Sequence, residues 1–285
     1  GPATYTKTGS TGAVTYSYAG TGSTTYGPSA TPPTNAGTYE VVATLAADDS
    51  YSGATSAPYA FTINKLAPVI SLGDIVKTMG DPNFTVSATS TSAGAITYSI
   101  ANANIATVIS STITLKGVGV TTITVTQAET ENYLAATTTA TLTVKPAAPR
   151  VTPGSFIIGN PSNPSNTNGL ITPNNGATLN FYNAATGGTA SSVQPLPTLV
   201  GVYTFYVSQT INGIEGPRAP YTVTILPAIS VKSATYIIGA NNNPANISSL
   251  VTSIAAGSKP KWCNVSGTSC TDVAPALPTT AGVYI

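Results

Sequence analysis

The stretch "AGTYEVVATLAADDSYSGATSAPYAFTINK", residues 36–65, reads as two β-strands and the turn between them. In "YEVVATLA" (39–46) and "FTIN" (61–64), β-branched and aromatic residues alternate with small or polar ones, as a half-buried strand requires. Asp, Ser and Gly between them supply the turn. Gly37 stands at the entrance, where a tight corner excludes a β-branched residue.

The same entrance recurs along the chain. Gly37 in "AGTY", Gly119 in "VGVT", Gly201 in "VGVY" and Gly282 in "AGVY" are separated by 82, 82 and 81 residues (119−37, 201−119, 282−201). The exit is a second marker: "FTINKLAP", "LTVKPAAP" and "VTILPAIS" carry Thr62, Thr143 and Thr224, spaced by 81 and 81. Two markers with one period predict a row of repeats. The boundaries fall at 1–65, 66–146, 147–227 and 228–285, the first repeat lacking its beginning and the fourth its end. Each repeat has room for about seven short strands. The predicted fold class is therefore all-β, tandem immunoglobulin-like β-sandwich domains of about 81 residues in an extended rod. The junctions "NKLAP", "VKPAAP" and "LPAIS" contain Pro and no Gly, Asp or Glu, which predicts stiff spacers that need no calcium.

The corner Gly precedes the exit Thr by 25, 24 and 23 residues in the first three repeats, whereas three residues follow Gly282. Counting back 81 residues from Thr62 places the previous exit about 19 residues before Gly1. The expectation is that residues 1–285 are a window on a longer chain.

Composition excludes whole classes of function. Charged residues are 7% of 285 and the net charge is +1, so no basic field exists for nucleic acid or an anionic membrane. No run of about 18 apolar residues would insert in a bilayer. The chain has no His, which closes the commonest acid–base and metal routes. No enzyme activity and no cofactor are expected.

Five of the nine carboxylates, Asp48, Asp49, Glu129, Glu131 and Glu215, fall in the hairpins between the last two strands of three repeats. Three readings are open: solvated turn residues, a weak calcium contact (Asp48, Asp49, Glu129, Glu131), or a ligand contact at the loop ends. Tyr39, Tyr203 and Tyr284 stand two residues after Gly37, Gly201 and Gly282. They fit a tyrosine corner, in which the hydroxyl pins the loop upstream, or are ordinary half-buried strand tyrosines. The second repeat has Thr121 there. Cys263 and Cys270 flank a turn in "WCNVSGTSC". The favoured reading is a disulfide, hence an exported protein, and the other is a pair of free thiols. Seven of 15 tyrosines lie in the first repeat. Tyr16 and Tyr18 share a strand face and, with Tyr26, offer a stacking platform for carbohydrate; core packing is the alternative.

Longer stretches carry a resemblance. "TGSTGAVTYSYAGTGSTTYGPSATPPTNAGTYEVVATLAADDSYSGATSAPYAFTINK" resembles the repeat units of very large bacterial surface proteins. "ITYSIANANIATV" and "LKGVGVTTITVTQAETENYLAATTTATLTV" are similar to bacterial immunoglobulin-like domains of such proteins. "LNFYNAATGGTASS" with "GVYTFYVSQTINGIEGPRAPYTVTI" looks like a unit common in adhesins of the Bacteroidota. The resemblance is to giant repetitive cell-surface adhesins of the gliding-motility type. It implies export by type IX secretion, location at the bacterial cell surface, and a stalk role in adhesion or gliding. The implied partners are neighbouring repeats, the secretion and outer-membrane motility machinery, and surface polysaccharide. It implies no catalytic residue. Two other functions remain open: a carbohydrate-binding array, and a non-catalytic appendage of a secreted glycoside hydrolase.

Overall fold

Strand Gly119–Gln127, GVTTITVTQ, is buried at Gly119, Thr121, Ile123, Val125 and Gln127 and more exposed at the residues between. That is the period of two of a strand with one face on a core. A computed structural model describes residues 4–231, together with the short strands Val251–Ser253, Trp262–Cys263 and Cys270–Thr271. The chain divides into two units, Gly1–Val144 and Lys145–Ile285. The first unit contains repeats one and two. Among the described residues the helical content is one 3-10 turn, Asn168–Leu170, and the fold is an all-β, immunoglobulin-like sandwich.

In repeat two, four strands lie in the order Ile75–Thr78, Ala136–Lys145, Gly119–Gln127, Ile96–Ile100. A second sheet runs Ala106–Ile109, Thr112–Leu115, Phe84–Thr85. Val86, Ala106 and Ile113 from one side meet Ile123, Leu142 and Val144 from the other in one core. Each such aliphatic side chain contributes about 1.5–3 kcal/mol by leaving water.

Repeat three repeats the plan in the order Gly154–Ile157, Ala219–Leu226, Gly201–Ile211, Thr178–Tyr182, with Gly154–Ile157 parallel to the exit strand Ala219–Leu226. Phe181, Val207, Tyr221, Val223 and Ile225 form its core with Ile171. In repeat one, Gly37–Leu45 is central, between Val14–Gly20 on one side and both Ala54–Thr55 and Tyr59–Ile63 on the other.

One register unites the repeats. The corner glycine faces an apolar residue of the exit strand: Gly37 opposite Ile63, Gly119 opposite Val144, Gly201 opposite Ile225. The next residue faces the exit threonine: Thr38 and Thr62, Val120 and Thr143, Val202 and Thr224. The two periodic markers in the sequence are cross-strand neighbours, seen once from each strand.

Two further features keep the period. Gln127 and Gln209 are both fully buried. The Gln127 amide donates to the Ser92 and Gly94 carbonyls at 2.9 and 3.1 Å and accepts from the Ser90 hydroxyl at 2.5 Å. Gln209 donates to the Ala147 carbonyl at 2.7 Å and accepts from the Asn174 N–H at 2.8 Å. Each ties the end of the penultimate strand to a loop of its own repeat. Repeat one has Leu45 at this place, and Asp48 does the tying instead. Gly12 and Gly94 mark the same loop. A Cβ would lie 2.0 Å from the Ala46 carbonyl oxygen at Gly12 and 2.3 Å from that of Ala128 at Gly94. Only glycine lets these backbones meet.

Candidate functional site

The first repeat ends in "NKLAP", and the hairpin tip of the second, "ETENYL" (129–134), folds back onto it. The tip is a turn closed by the Thr130 N–H to the Tyr133 carbonyl at 2.9 Å and by the Tyr133 N–H to the Thr130 hydroxyl at 3.2 Å. The equivalent tip of repeat one is closed alike: the Asp48 N–H donates to the Tyr51 carbonyl at 3.0 Å, and the Ser50 and Tyr51 N–H groups donate to the Asp48 carboxylate at 2.9 Å each.

This preformed tip grips the exit of repeat one. The Leu66 N–H donates to the Asn132 carbonyl at 2.9 Å, and the Leu134 N–H donates to the Leu66 carbonyl at 2.8 Å, a short parallel bridge. The Asn132 side chain accepts from the Ala36 N–H at 2.7 Å and donates to the Asn35 side-chain oxygen at 3.1 Å. Asn35 donates to Glu131 at 2.8 Å. Lys65 donates to the Thr130 carbonyl at 2.8 Å and forms an ion pair with Glu129.

The corner loop presents Asn35 and Ala36 to this clasp. The Tyr39 hydroxyl donates to the Asn35 carbonyl at 2.8 Å. In repeat three the Tyr203 hydroxyl donates to the Leu199 carbonyl at 3.0 Å, four residues upstream in both cases. Tyr39 is 2% exposed and stacks on Phe61 with ring centroids 5.5 Å apart. In repeat two the Thr121 hydroxyl instead accepts from the Asn102 N–H at 3.0 Å.

The structure corrects the reading of the hairpin carboxylates. Asp48, Asp49, Glu129 and Glu131 do not gather about one point, and no cluster of three or more metal-binding side chains exists among the described residues. Asp48 accepts from the Thr11 N–H at 2.7 Å and the Ser10 hydroxyl at 2.9 Å. The Ser50 N–H first, then Thr11 and Ser10, hold its carboxyl well below the usual carboxylate range. Asp49 is exposed. Glu129 and Glu131 belong to the clasp. The junction therefore does receive carboxylates, delivered by the next repeat rather than by the linker. Its geometry rests on these bonds as well as on linker shortness.

Glu215 has a different setting. It accepts from the Tyr182 hydroxyl at 2.5 Å and from the Ser208 hydroxyl. Burial works to raise its pKa, but Ser208, Tyr182 and the Arg218 charge outweigh it and hold the carboxyl below its ordinary value. The hydrogen bond to Glu215, then burial, pushes the Tyr182 phenol up. Arg218 lies 3.2 Å above the Tyr182 ring and donates to the Ala184 and Gly187 carbonyls at 2.8 Å each, stapling the 183–188 loop.

The tyrosine platform is corrected at Tyr18. Tyr16 and Tyr18 do share a face, but Tyr18 is 5% exposed, and its neighbours are Tyr16 at 6.2 Å and Phe61 edge-on at 6.4 Å. That leaves Tyr18 no free ring face for a sugar, whereas Tyr16 is half-buried and lines an open cleft. Tyr26 lies elsewhere, edge-on to Tyr39 at 5.8 Å, beside a cleft of about 680 Å³ that Asn35, Lys65 and Glu131 also line. The backbone sets Cys263 opposite Cys270 in a short antiparallel ladder. Their side chains, and Gly282 and Tyr284 altogether, lie outside the described residues.

Fold and joint together define a class: immunoglobulin-like β-sandwich repeats, the first two of them joined through a hairpin clasp. No protein-family model and no curated protein sequence matches the chain. Among solved structures it is similar to Drosophila N-cadherin EC1-4, at 15% identity over 67% of this chain and 57% of that one, with a TM-score of 0.24. It is similar to Drosophila OTK extracellular domains 3-5 at 8% identity over 67% and 71%, with a TM-score of 0.29. It is similar to domains 4-9 of the surface layer protein SbsC at 15% identity over 76% and 41%, with a TM-score of 0.25.

Proposed function

We propose that the chain is a stalk segment of a large secreted bacterial cell-surface adhesin of the gliding-motility type, exported by type IX secretion. Its repeats act as non-catalytic spacers between an adhesive region and the cell. The observation that carries this reading is the clasp between repeats one and two. There the Lys65 ion pair, the Asn35–Asn132–Glu131 chain of hydrogen bonds and the Leu66 backbone bridge hold neighbouring repeats together. A spacer that keeps its length needs such a joint. Antibodies against the chain should label intact cells, and in-frame loss of one 81-residue repeat should weaken attachment gradually. Labelling only after permeabilisation would sink the reading.

A second reading rests on the cleft beside the joint. An aromatic ring, an amide, an amine and a carboxylate converge there from Tyr26, Asn35, Lys65 and Glu131, the mixture that neutral sugars require. Silence of the whole chain on a glycan array would remove it.

A further inference from the structure

The cleft of about 680 Å³ beside the joint takes its walls from the corner loop, the exit and the 23–26 segment of repeat one. Among the described residues, Glu131 is the wall that repeat two supplies, and it arrives there on the clasp. Cleft and clasp also share two residues of repeat one. Asn35 and Lys65 line the cleft, and both hold the hairpin tip.

Holding the tip does not exhaust them. An amide nitrogen carries two hydrogens and an ammonium three. Asn35 donates one to Glu131 at 2.8 Å, and Lys65 donates to Glu129 and to the Thr130 carbonyl. Each keeps a hydrogen for a ligand, at a position that the clasp fixes. The Tyr26 hydroxyl donates to the Thr31 carbonyl at 2.6 Å and keeps lone pairs that can accept. Lys65 and Glu131 set opposite charges on the wall, which suits a neutral ligand rich in donors and acceptors. Withdrawal of the tip takes Glu131 out of the wall. It also strips Asn35 of Glu131 and Asn132, and Lys65 of Glu129 and Thr130. These side chains must then be ordered again at the moment of binding, which costs affinity.

We propose that the clasp gates the cleft: a neutral oligosaccharide binds there only while the joint is closed, and by binding holds the joint closed. This gating rests on the reading of the cleft as a sugar site and adds its regulation. Linkage makes the two effects equal: whatever closure adds to sugar affinity, the sugar returns to closure. A ligand confined to the closed state lowers the opening equilibrium by one plus the ratio of free ligand to Kd, about tenfold at about nine times Kd. A stalk that has taken up sugar is stiffer at this joint than a bare one.

The test titrates maltotriose, cellotriose, mannotriose and chitotriose separately into the whole chain. Calorimetry reads binding. Amide exchange is followed at Leu66 and Leu134, whose N–H groups close the clasp and which do not line the cleft. At about nine times Kd, exchange at both should slow about tenfold. Tyr26→Ala should abolish binding and slowing together, and the Thr38 amide signal, at the cleft wall, should shift with the sugar in the unaltered chain. Binding that shifts Thr38 but leaves Leu66 and Leu134 unchanged would overturn the gating and leave the sugar reading standing. Absence of binding by every trisaccharide would overturn both. Slowing that persists in Tyr26→Ala, with no shift at Thr38, would place the sugar elsewhere and overturn both as well.

Discussion

Gln127 carries a long polar side chain into a place with no exposed surface and satisfies it there. Replacing it with Leu leaves the Ser92 and Gly94 carbonyls unpaired, which should cost about 3 kcal/mol in urea unfolding of repeat two. Tyr39→Phe removes one hydrogen bond from an otherwise intact ring stack and should cost about 1 kcal/mol. Asp48 makes a pH-dependent contribution. Its folded-state pKa lies below the unfolded value, so its stabilisation is present above about pH 4 and is lost as the pH falls toward the folded pKa. Exchange of the Thr11, Ser50 and Tyr51 amides, corrected for intrinsic rate, should quicken below pH 4 in the native chain and show no such acid step in Asp48→Asn. At this scale the sequence is only partly readable. Gly37 and Tyr39 stand out because a corner needs both residue types at fixed spacing. Gly12, Gly94 and the two buried glutamines keep the same period, yet one glycine among 26 carries little signal. A buried Gln looks like a surface Gln until its partners are placed.

The hairpin between the last two strands is the element that departs most from its sequence reading. Charged residues in a turn read as solvated, and in repeat one Asp49 is. In repeat two Asn132 of the same turn meets Asn35, 97 residues away along the chain and beyond any local pattern. The clasp's parts differ in weight. The Lys65–Glu129 pair is partly exposed, at 30% and 56%, so Glu129→Gln should change stability by less than about 1 kcal/mol. Asn132→Ala removes the bonds to Ala36 and Asn35 and should loosen the joint by about 1–2 kcal/mol, read as faster exchange at Leu66 and Leu134 with the core of repeat two unaffected. Gly94→Ala should cost about 2 kcal/mol or more, because its Cβ meets a backbone carbonyl that cannot rotate away.

Across the molecule, period and fold class were legible because the repeat imposes them several times over. The alternation of strands such as Gly119–Gln127 is a local consequence of one-sided burial, and the Gly–Thr pair is one piece of register seen from both strands. Which strands face one another, and what fills a cleft, depend on contacts between distant segments and left no such trace. Tyr16 and Tyr18 were readable as one face, but the burial of Tyr18 was not. Because the carboxylates of the joint are held by Lys65 and Asn35, a chelator should leave the melting temperature of the first unit unchanged, as calorimetry with and without EDTA would test.

The parallel pairing of Gly154–Ile157 with Ala219–Leu226 has a mechanical consequence. The two strands are neighbours, one near the entry of the repeat and the other at its exit. Traction on the chain drags them in opposite directions along a common axis. The ladder is then loaded in shear, with its rungs sharing the strain, whereas an antiparallel hairpin pulled from its open end peels one rung at a time. The repeat resists stretching along the line in which a tethered chain would be pulled.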